Sequence, residues 1–223
     1  QGYYSWLDSN SYHYFKYEPI KWRILKVNGT DAFLVADKSL ENQKYNDSYT
    51  SVIWQTSTIR SWLNGYRASS NADGKDYSNK NFIDTAFSSS ERTAINSASI
   101  VNDDNLNYGI EGGNNTNDKI FLLSESEVYT NSAVPYGFKS SYSIYDETRR
   151  SKSSTYGKAT GIYSDTSDEY KGNCYTWLRS PGGDMYSITY VYTDGSVSRY
   201  GCHIDYHRMA VRPVLHLNLD SIK

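Results

Sequence analysis

Four dipeptides, Asn28-Gly29, Asn64-Gly65, Pro181-Gly182 and Asp194-Gly195, cut the apolar residues of the chain into short runs. Each marks a point where the backbone turns or leaves a regular element, because glycine takes a positive φ without steric cost. Between them, apolar residues recur either at every second position or in a single stripe at i, i+3, i+4. Such a chain is limited to short strands and short helices joined by long loops. That pattern is an α+β fold, with short helices packed on antiparallel sheets.

The segment EPIKWRILKVNGTDAFLVADKSL predicts a hairpin. Ile20, Trp22 and Ile24 alternate, Asn28-Gly29 supplies the turn, and Ala32, Leu34 and Ala36 follow. In WQTSTIRSWLN, Ser57 or Thr56 caps a helix whose stripe is Ile59, Trp62 and Leu63, and Asn64-Gly65 ends it. A second helix is predicted in SSSERTAINSASI, capped by Ser88 or Ser89, with Glu91 at its positive end and Ala94, Ile95 and Ala98 facing inward. Residues 102–118 form a polar loop. KIFLLS predicts a strand and SESEVYT a short capped helix. Residues 130–172 read as surface loops around a short helix at SSTYGKATG. TWLRSPG is a strand ended by Pro181-Gly182, YSITYVYTDGSVSRY a hairpin, and AVRPVLHLNL a final strand with Pro213 at an edge or bulge.

A length of 223 residues admits one large domain or two small ones. With no internal repeat and no linker, one domain over 1–223 is expected, with its core at about 14–219. The net charge of −2, with Lys and Arg scattered, leaves no basic stripe for nucleic acid. No apolar run reaches the ~18 residues of a membrane helix. No leader stands at Gln1, so a cytosolic or a trimmed mature chain is expected.

Tyrosine says more about function. There are 23 Tyr against 6 Phe. Tyrosine adds apolar area while keeping a hydroxyl for water or ligand, and Ser, Asn, Gly and Thr are its adaptable partners in binding loops. The stretch from Gly182 to His207 concentrates this chemistry. Its second half, RYGCHIDYHRM, has neither period, so nothing there forces burial. The expected ligand-binding residues are Tyr186, Tyr190, Tyr192, Tyr200, His203, Asp205, Tyr206 and His207. A turn of only two residues would prevent Val191 and Val197 from both facing the core, so a bulge or a longer turn is expected.

Catalytic and metal motifs are missing: no Gly-x-Ser-x-Gly, no HExxH and no phosphate loop. No cofactor is expected. The histidines are His13, His203, His207 and His216. His203 and His207 have metal-ligand spacing but lie in a stretch without helical period, with Asp205 as the one obvious third ligand, so no metal is expected. The oxygens of residues 102–118 are of a calcium-binding type in the wrong spacing, which points to a solvated loop. His216 reads as a satisfied strand histidine. Cys174 and Cys202 permit one disulfide at most, or are two small buried hydrophobes. Trp22, Trp62 and Trp177 read as core. Arg179 and Arg212 read as structural arginines bonded to carbonyls or a buried carboxylate.

Taken in order, EPIKWRIL, WQTSTIRSWLN, NFIDTAFSSSERTAI, DKIFLLSESE, TWLRSPGG, DGSV and VRPVLHLNL resemble a bacterial domain-of-unknown-function family of secreted and surface proteins in anaerobic gut bacteria. That family is similar to a branch of the C-type-lectin-like fold shared with formylglycine-generating enzymes and with variable receptors diversified by retroelements. The resemblance implies an extracellular or cell-surface adhesion domain, without enzymatic activity and part of a larger surface protein, whose C-terminal strand, hairpin and loop form a face for a protein or glycan ligand. AVRPVL takes the place of the family's G-[VF]-R-P-[AV]-like stretch, with Ala210 where Gly is usual. Tyr, Ser, Asp, His, Ile and Cys are reachable from an Asn codon by changing adenines, as retroelement diversification would do. Two alternatives stand beside this: an oxidase of the formylglycine-generating kind, whose paired cysteines are spaced differently from Cys174 and Cys202, and a structural module of a larger surface protein.

Overall fold

The computed structural model describes residues 19–130 and 135–222, together with the backbone of an antiparallel pair, β1 (Tyr3–Asp8) and β2 (Ser11–Lys16). The side chains of His13 and of Tyr14, the expected start of the core, lie outside what is described. The first expected hairpin forms as β3 (Trp22–Asn28) and β4 (Asp31–Ala36). Its turn is one residue later than expected. Asn28 pairs with Asp31, so Gly29 and Thr30 are the central residues, and Gly29 alone takes a positive φ, of 60°. Ile24 is also corrected. An extra residue, Leu25, sits between the pairs Ile24–Leu34 and Lys26–Phe33, and this bulge turns Leu25 toward the core and leaves Ile24 63% exposed.

After the short strand β5 (Glu41–Asn42), the capped helices form where their signals stand. In α1 (Thr58–Asn64) the Ser57 hydroxyl accepts from the Arg60 amide, Gly65 ends the helix at φ 70°, and Ile59, Trp62 and Leu63 are buried. A helix not expected from the pattern, α2 (Phe82–Ala86), is capped by Asn81. α3 (Ser89–Ala94) begins on a capping box between Ser88 and Glu91. It stops earlier than expected. Ile95 opens β6 (Ile95–Asn96), which pairs with the last strand, and Ala98 opens β7 (Ala98–Ile100), so these two residues are inward on strands. Part of the presumed solvated loop becomes β8 (Thr116–Asp118), paired with β7. Then come β9 (Ile120–Phe121), α4 (Glu125–Val128) on a Ser124–Glu127 capping box, and α5 (Thr155–Ala159) capped by Ser154.

The C-terminal third supplies β10 (Thr176–Pro181), β11 (Ser187–Val191), β12 (Val197–His203), β13 (Ala210–Val211) and β14 (Val214–Asn218). One sheet runs β12-β11-β10-β13-β5, and another β3-β4-β14-β6 with β9 also on β14. The structure is a mixed α+β fold, and one pairing departs from the antiparallel expectation: β10 and β13 are parallel. AVRPVLHLNL is not one edge strand. It breaks at Arg212-Pro213 into strands of different sheets, and β14 lies inside its sheet. Proline, which has no N–H to give a ladder, occupies the break. One apolar cluster joins the sheets, with Phe33, Val35, Phe121 and Val214 from one and Trp177, Leu178 and Ile188 from the other. Trp62 and Trp177 are buried, and Trp22 is half-buried against the same cluster.

Asp118, wholly buried, collects the hydrogen bonds that hold the early helices to β8. Its carboxylate accepts from Trp54 Nε1 (3.0 Å), Arg60 Nε (2.9 Å), the Tyr66 hydroxyl (2.9 Å) and the Thr116 hydroxyl (2.7 Å). Removing a buried carboxylate strands its cation and its donors. Asp118→Ala is therefore expected to lower stability by about 3–5 kcal/mol in urea unfolding, and a loss under 1 kcal/mol would contradict this role.

Burial pushes the Glu41 carboxyl on β5 up to about 7, against the pull of the Gln43 amide and Lys80. Its folded pKa therefore lies above the unfolded value near 4.5. Such a group favours folding fully below the lower value and loses that contribution as pH rises through the higher one. Stability is expected to fall by roughly 1–3 kcal/mol from pH 4.5 to pH 7.5 on this account. Glu41→Gln should flatten that slope in paired unfolding curves, and an unchanged slope would refute the assignment.

Candidate functional site

The expected binding residues ride on the β11–β12 hairpin and the turn that follows it. Val191 pairs with Val197, and the five residues Tyr192–Ser196 join them, closed by the Tyr192 amide on the Ser196 carbonyl (2.8 Å). The longer connection lets both valines be buried. A second irregularity separates the pairs Ile188–Cys202 and Tyr190–Ser198: one residue of β11 faces three of β12. Gly201 takes φ 90° there, and a β-carbon on it would fall 2.5 Å from the Ile188 carbonyl oxygen, so no side chain fits. Both forms of the expectation, a bulge and a longer turn, are present.

The eight residues divide into separate groups. Tyr190 and Tyr192 lie 4.7 Å apart by ring centroid, and Tyr175 meets both edge-on at 5.8 and 5.9 Å. Tyr163 stacks on Tyr175 at 4.7 Å, and the Arg208 guanidinium lies over Tyr163. Tyr186 stacks on Tyr49 at 5.0 Å, and Tyr49 also meets His203. Tyr200 stands elsewhere, 57% exposed, against Tyr108 and over Gly183. His207 is exposed and touches Tyr206, while Asp205 is half-buried.

The stretch from Tyr200 is more constrained than its lack of period implies. β12 continues to His203, Ile204 is wholly buried with its amide on the Tyr186 carbonyl (3.0 Å), and Met209 is buried. Tyr206 packs against the apolar core, so it is not a free surface ring. Alternation fails here because a buried residue in a turn needs no period.

Tyr49, Tyr108, Tyr163 and Tyr175 complete these ring groups from distant segments. The tyrosine excess is their one signal in the sequence, and it does not say which rings meet. The loop carrying Tyr108 is held by Asn105, whose side-chain amide donates to the carbonyls of Pro181 (2.9 Å), Gly182 (3.1 Å) and Arg199 (3.1 Å). This buried anchor corrects the picture of a solvated loop. Burial, with Tyr192 beside it, pushes the Tyr190 hydroxyl well up, and burial with Tyr163 beside it pushes Tyr175 up to about 12. Both hydroxyls stay protonated and able to donate.

The thiols stand apart. Both are free. Cys202 pairs with Ile188 on β11, which pairs with Pro181 at the far end of β10, whereas Cys174 precedes the opposite end of β10. Two strand spacings and most of a strand length exceed the ~7 Å reach of a disulfide. Cys174 donates to the Ser151 carbonyl, and burial pushes its thiol up to about 11. Burial raises Cys202 also. Among the described residues, no group of three or more His, Cys, Asp or Glu is placed to hold a metal, and no helix is long and apolar enough to cross a membrane. His216 Nδ1 lies 2.7 Å from Asp31 and its ring stacks on Phe33, the satisfied strand histidine expected.

Arg179 donates to the carbonyls of Leu122 and Val101 and pairs with Glu127, and Arg212 donates to the carbonyls of Ala36 and Arg149. Both are the structural arginines expected. Ala210, where glycine is usual in the resembled pattern, is wholly buried, with its amide on the Tyr175 carbonyl.

Residues 29–219 match the model of a family described as Domain of unknown function (DUF6273). No curated protein and no solved structure matches the chain.

Thiol labelling checks the placement of the cysteines. In native protein a disulfide-forming reagent should modify Cys202 slowly and leave Cys174 untouched, and both should react once the chain is unfolded. Rapid native labelling of Cys174, or a bridged pair by mass spectrometry, would contradict it.

Proposed function

We propose that this chain, which belongs to the DUF6273 family, is a ligand-binding module of C-type-lectin-like architecture carried within a larger secreted or cell-surface protein. The observation that carries the proposal is the array of tyrosine rings on and beside the β11–β12 hairpin: Tyr163, Tyr175, Tyr190 and Tyr192 in contact, with Arg208 over the outermost ring. Rings held by one another keep little rotamer freedom, so a ligand that stacks on them meets a surface already ordered. Half-buried rings with donor hydroxyls suit a protein or glycan surface that mixes apolar area with acceptors. The separation of the two thiols favours this reading over an oxidase that needs a close cysteine pair.

Exposed and half-buried members of the face differ in what their loss costs. Tyr192→Ala with His207→Ala changes two exposed residues and should shift stability by less than ~1 kcal/mol. Tyr206→Ala opens a gap beside the core and should cost about 1–3 kcal/mol. A glycan array and a surface-protein screen with wild-type chain identify the ligand. The Tyr192/His207 double variant should then bind at least ~10-fold more weakly. Undiminished binding by that folded variant would remove the hairpin from the site.

A further inference from the structure

Three arginines converge on the segment Asp146–Arg149 behind the hairpin. Arg149, with no exposed side-chain surface, donates to Asp146 (3.1 Å) and to the carbonyls of Gly195, Lys139 and Ser141. Arg23 donates to the Thr148 carbonyl (2.7 Å), and its other terminal nitrogen is buried without a hydrogen-bond partner. Arg212 donates to the carbonyls of Ala36 (2.9 Å) and Arg149 (3.0 Å). The carboxylate at ion-pair distance from this group is Asp146, and it is already engaged by the Lys139 amide, the Thr148 amide and hydroxyl, and Arg149. Asp37, exposed, acts on Arg23 and Arg212 from further off. Asp146 thus pairs with Arg149, and among the described residues the buried Arg212 has no carboxylate at ion-pair distance, a state that burial makes costly.

A small cavity lies against this group. Arg149, Arg212, Thr176, Trp177, Phe138 and Val191 are among its walls, all of them buried. Thr176 also lines it, and its hydroxyl is buried without a hydrogen-bond partner, the residue being 3% exposed. The cavity has room for a body of about one water's size, such as a chloride ion, but not for sulfate or phosphate. Aromatic and aliphatic walls suit a weakly hydrated ion better than a strongly hydrated one.

We propose that this cavity is a structural binding site for a monovalent halide, chloride under ordinary salt, held between the Arg212 guanidinium and the Thr176 hydroxyl. The ion supplies the negative charge that Arg212 lacks and an acceptor for the hydroxyl. It thereby links β10, which carries Thr176, to the strand break at Arg212. Burial pulls Arg212 down to about 10, which still leaves it a cation at neutral pH and able to hold an anion.

The test is thermal unfolding at constant ionic strength, with gluconate replaced stepwise by chloride or bromide up to about 200 mM. The melting temperature is expected to rise by roughly 2–5 °C with either halide, the size of shift a saturated site gives a chain of this length. Thr176→Val, which keeps the shape and the charges, should at least halve that rise. Crystals grown in bromide should show an anomalous peak between Arg212 and Thr176. Equal melting temperatures in gluconate and chloride, or a bromide map without that peak, would overturn the proposal and leave the cavity to water. Should the Thr176 variant fail to fold, the wild-type bromide map alone decides.

Discussion

Arg212 fastens the two main sheets to each other. It stands at the break where one run of chain leaves β13 in the first sheet and enters β14 in the second. Its Nε donates to the carbonyl that ends β4, and its Nη1 reaches the carbonyl of Arg149 in the long loop region. Pro213 beside it gives up no ladder hydrogen bond, and its carbonyl accepts from the Ala36 amide (2.9 Å). The planar fork of donors lets one side chain serve carbonyls in two directions at once, from Nε on one side and Nη1 on the other. The parallel pairing of β13 with β10 and the antiparallel pairing of β14 with β4 both require the chain to turn here.

The same device recurs wherever the chain lacks aliphatic residues. Residues 130–172 offer little apolar surface to bury, yet Asp146 and Arg149 are wholly inside. Arg149 gathers the carbonyls of Lys139 and Ser141, earlier in its loop, and of Gly195 in the hairpin turn. Gly195 can sit there because a side chain would collide with the Asp146 carbonyl, and its φ of 86° is one that glycine takes freely. Asn105 does the same for the preceding loop, and Asp118 for the early helices. Each is a buried polar group with its bonds met, the condition under which burial of polar groups fixes loops instead of opposing the fold.

These anchors explain what could be read from the residues alone. Caps were legible: Ser57, Ser88, Ser124 and Ser154 stand where the helices begin, because a cap is a contact between residues three apart. Turns were legible to within a residue, as the shift from Asn28-Gly29 to Gly29-Thr30 shows. What long-range contact decides was not. Nothing near Leu25 announces the bulge that exposes Ile24, and nothing near Asp118 announces that Trp54, Arg60 and Tyr66 will reach it from far along the chain. Ile95 has the pattern of a helix face, but pairing with Leu217 draws it into a strand. At the candidate site the hairpin was legible and its partners were not, since Tyr49, Tyr108, Tyr163 and Tyr175 reach it from four different segments. The absence of period after Tyr200 was a turn with a buried isoleucine, a geometry that sequence spacing does not distinguish from free display.

The edge position of β12 narrows how the proposed face can work. An open edge strand offers its amides and carbonyls to an added strand, and many peptide-binding domains recognise ligands that way. Here the edge is already in use. The Val197 amide donates to the Tyr142 carbonyl, the Tyr200 carbonyl accepts from the Gly183 amide, and the Arg199 carbonyl accepts from Asn105. Arg199 itself is spent on Glu125 and lies over the rings of Tyr129 and Tyr142. With the backbone engaged on both sides of β12, side chains are what the hairpin has left to present. Tyrosine suits that duty, because its ring adds apolar contact area and is fixed by a neighbouring ring. The recognition proposed for this face is therefore by stacked rings on a rigid hairpin, not by extension of the sheet.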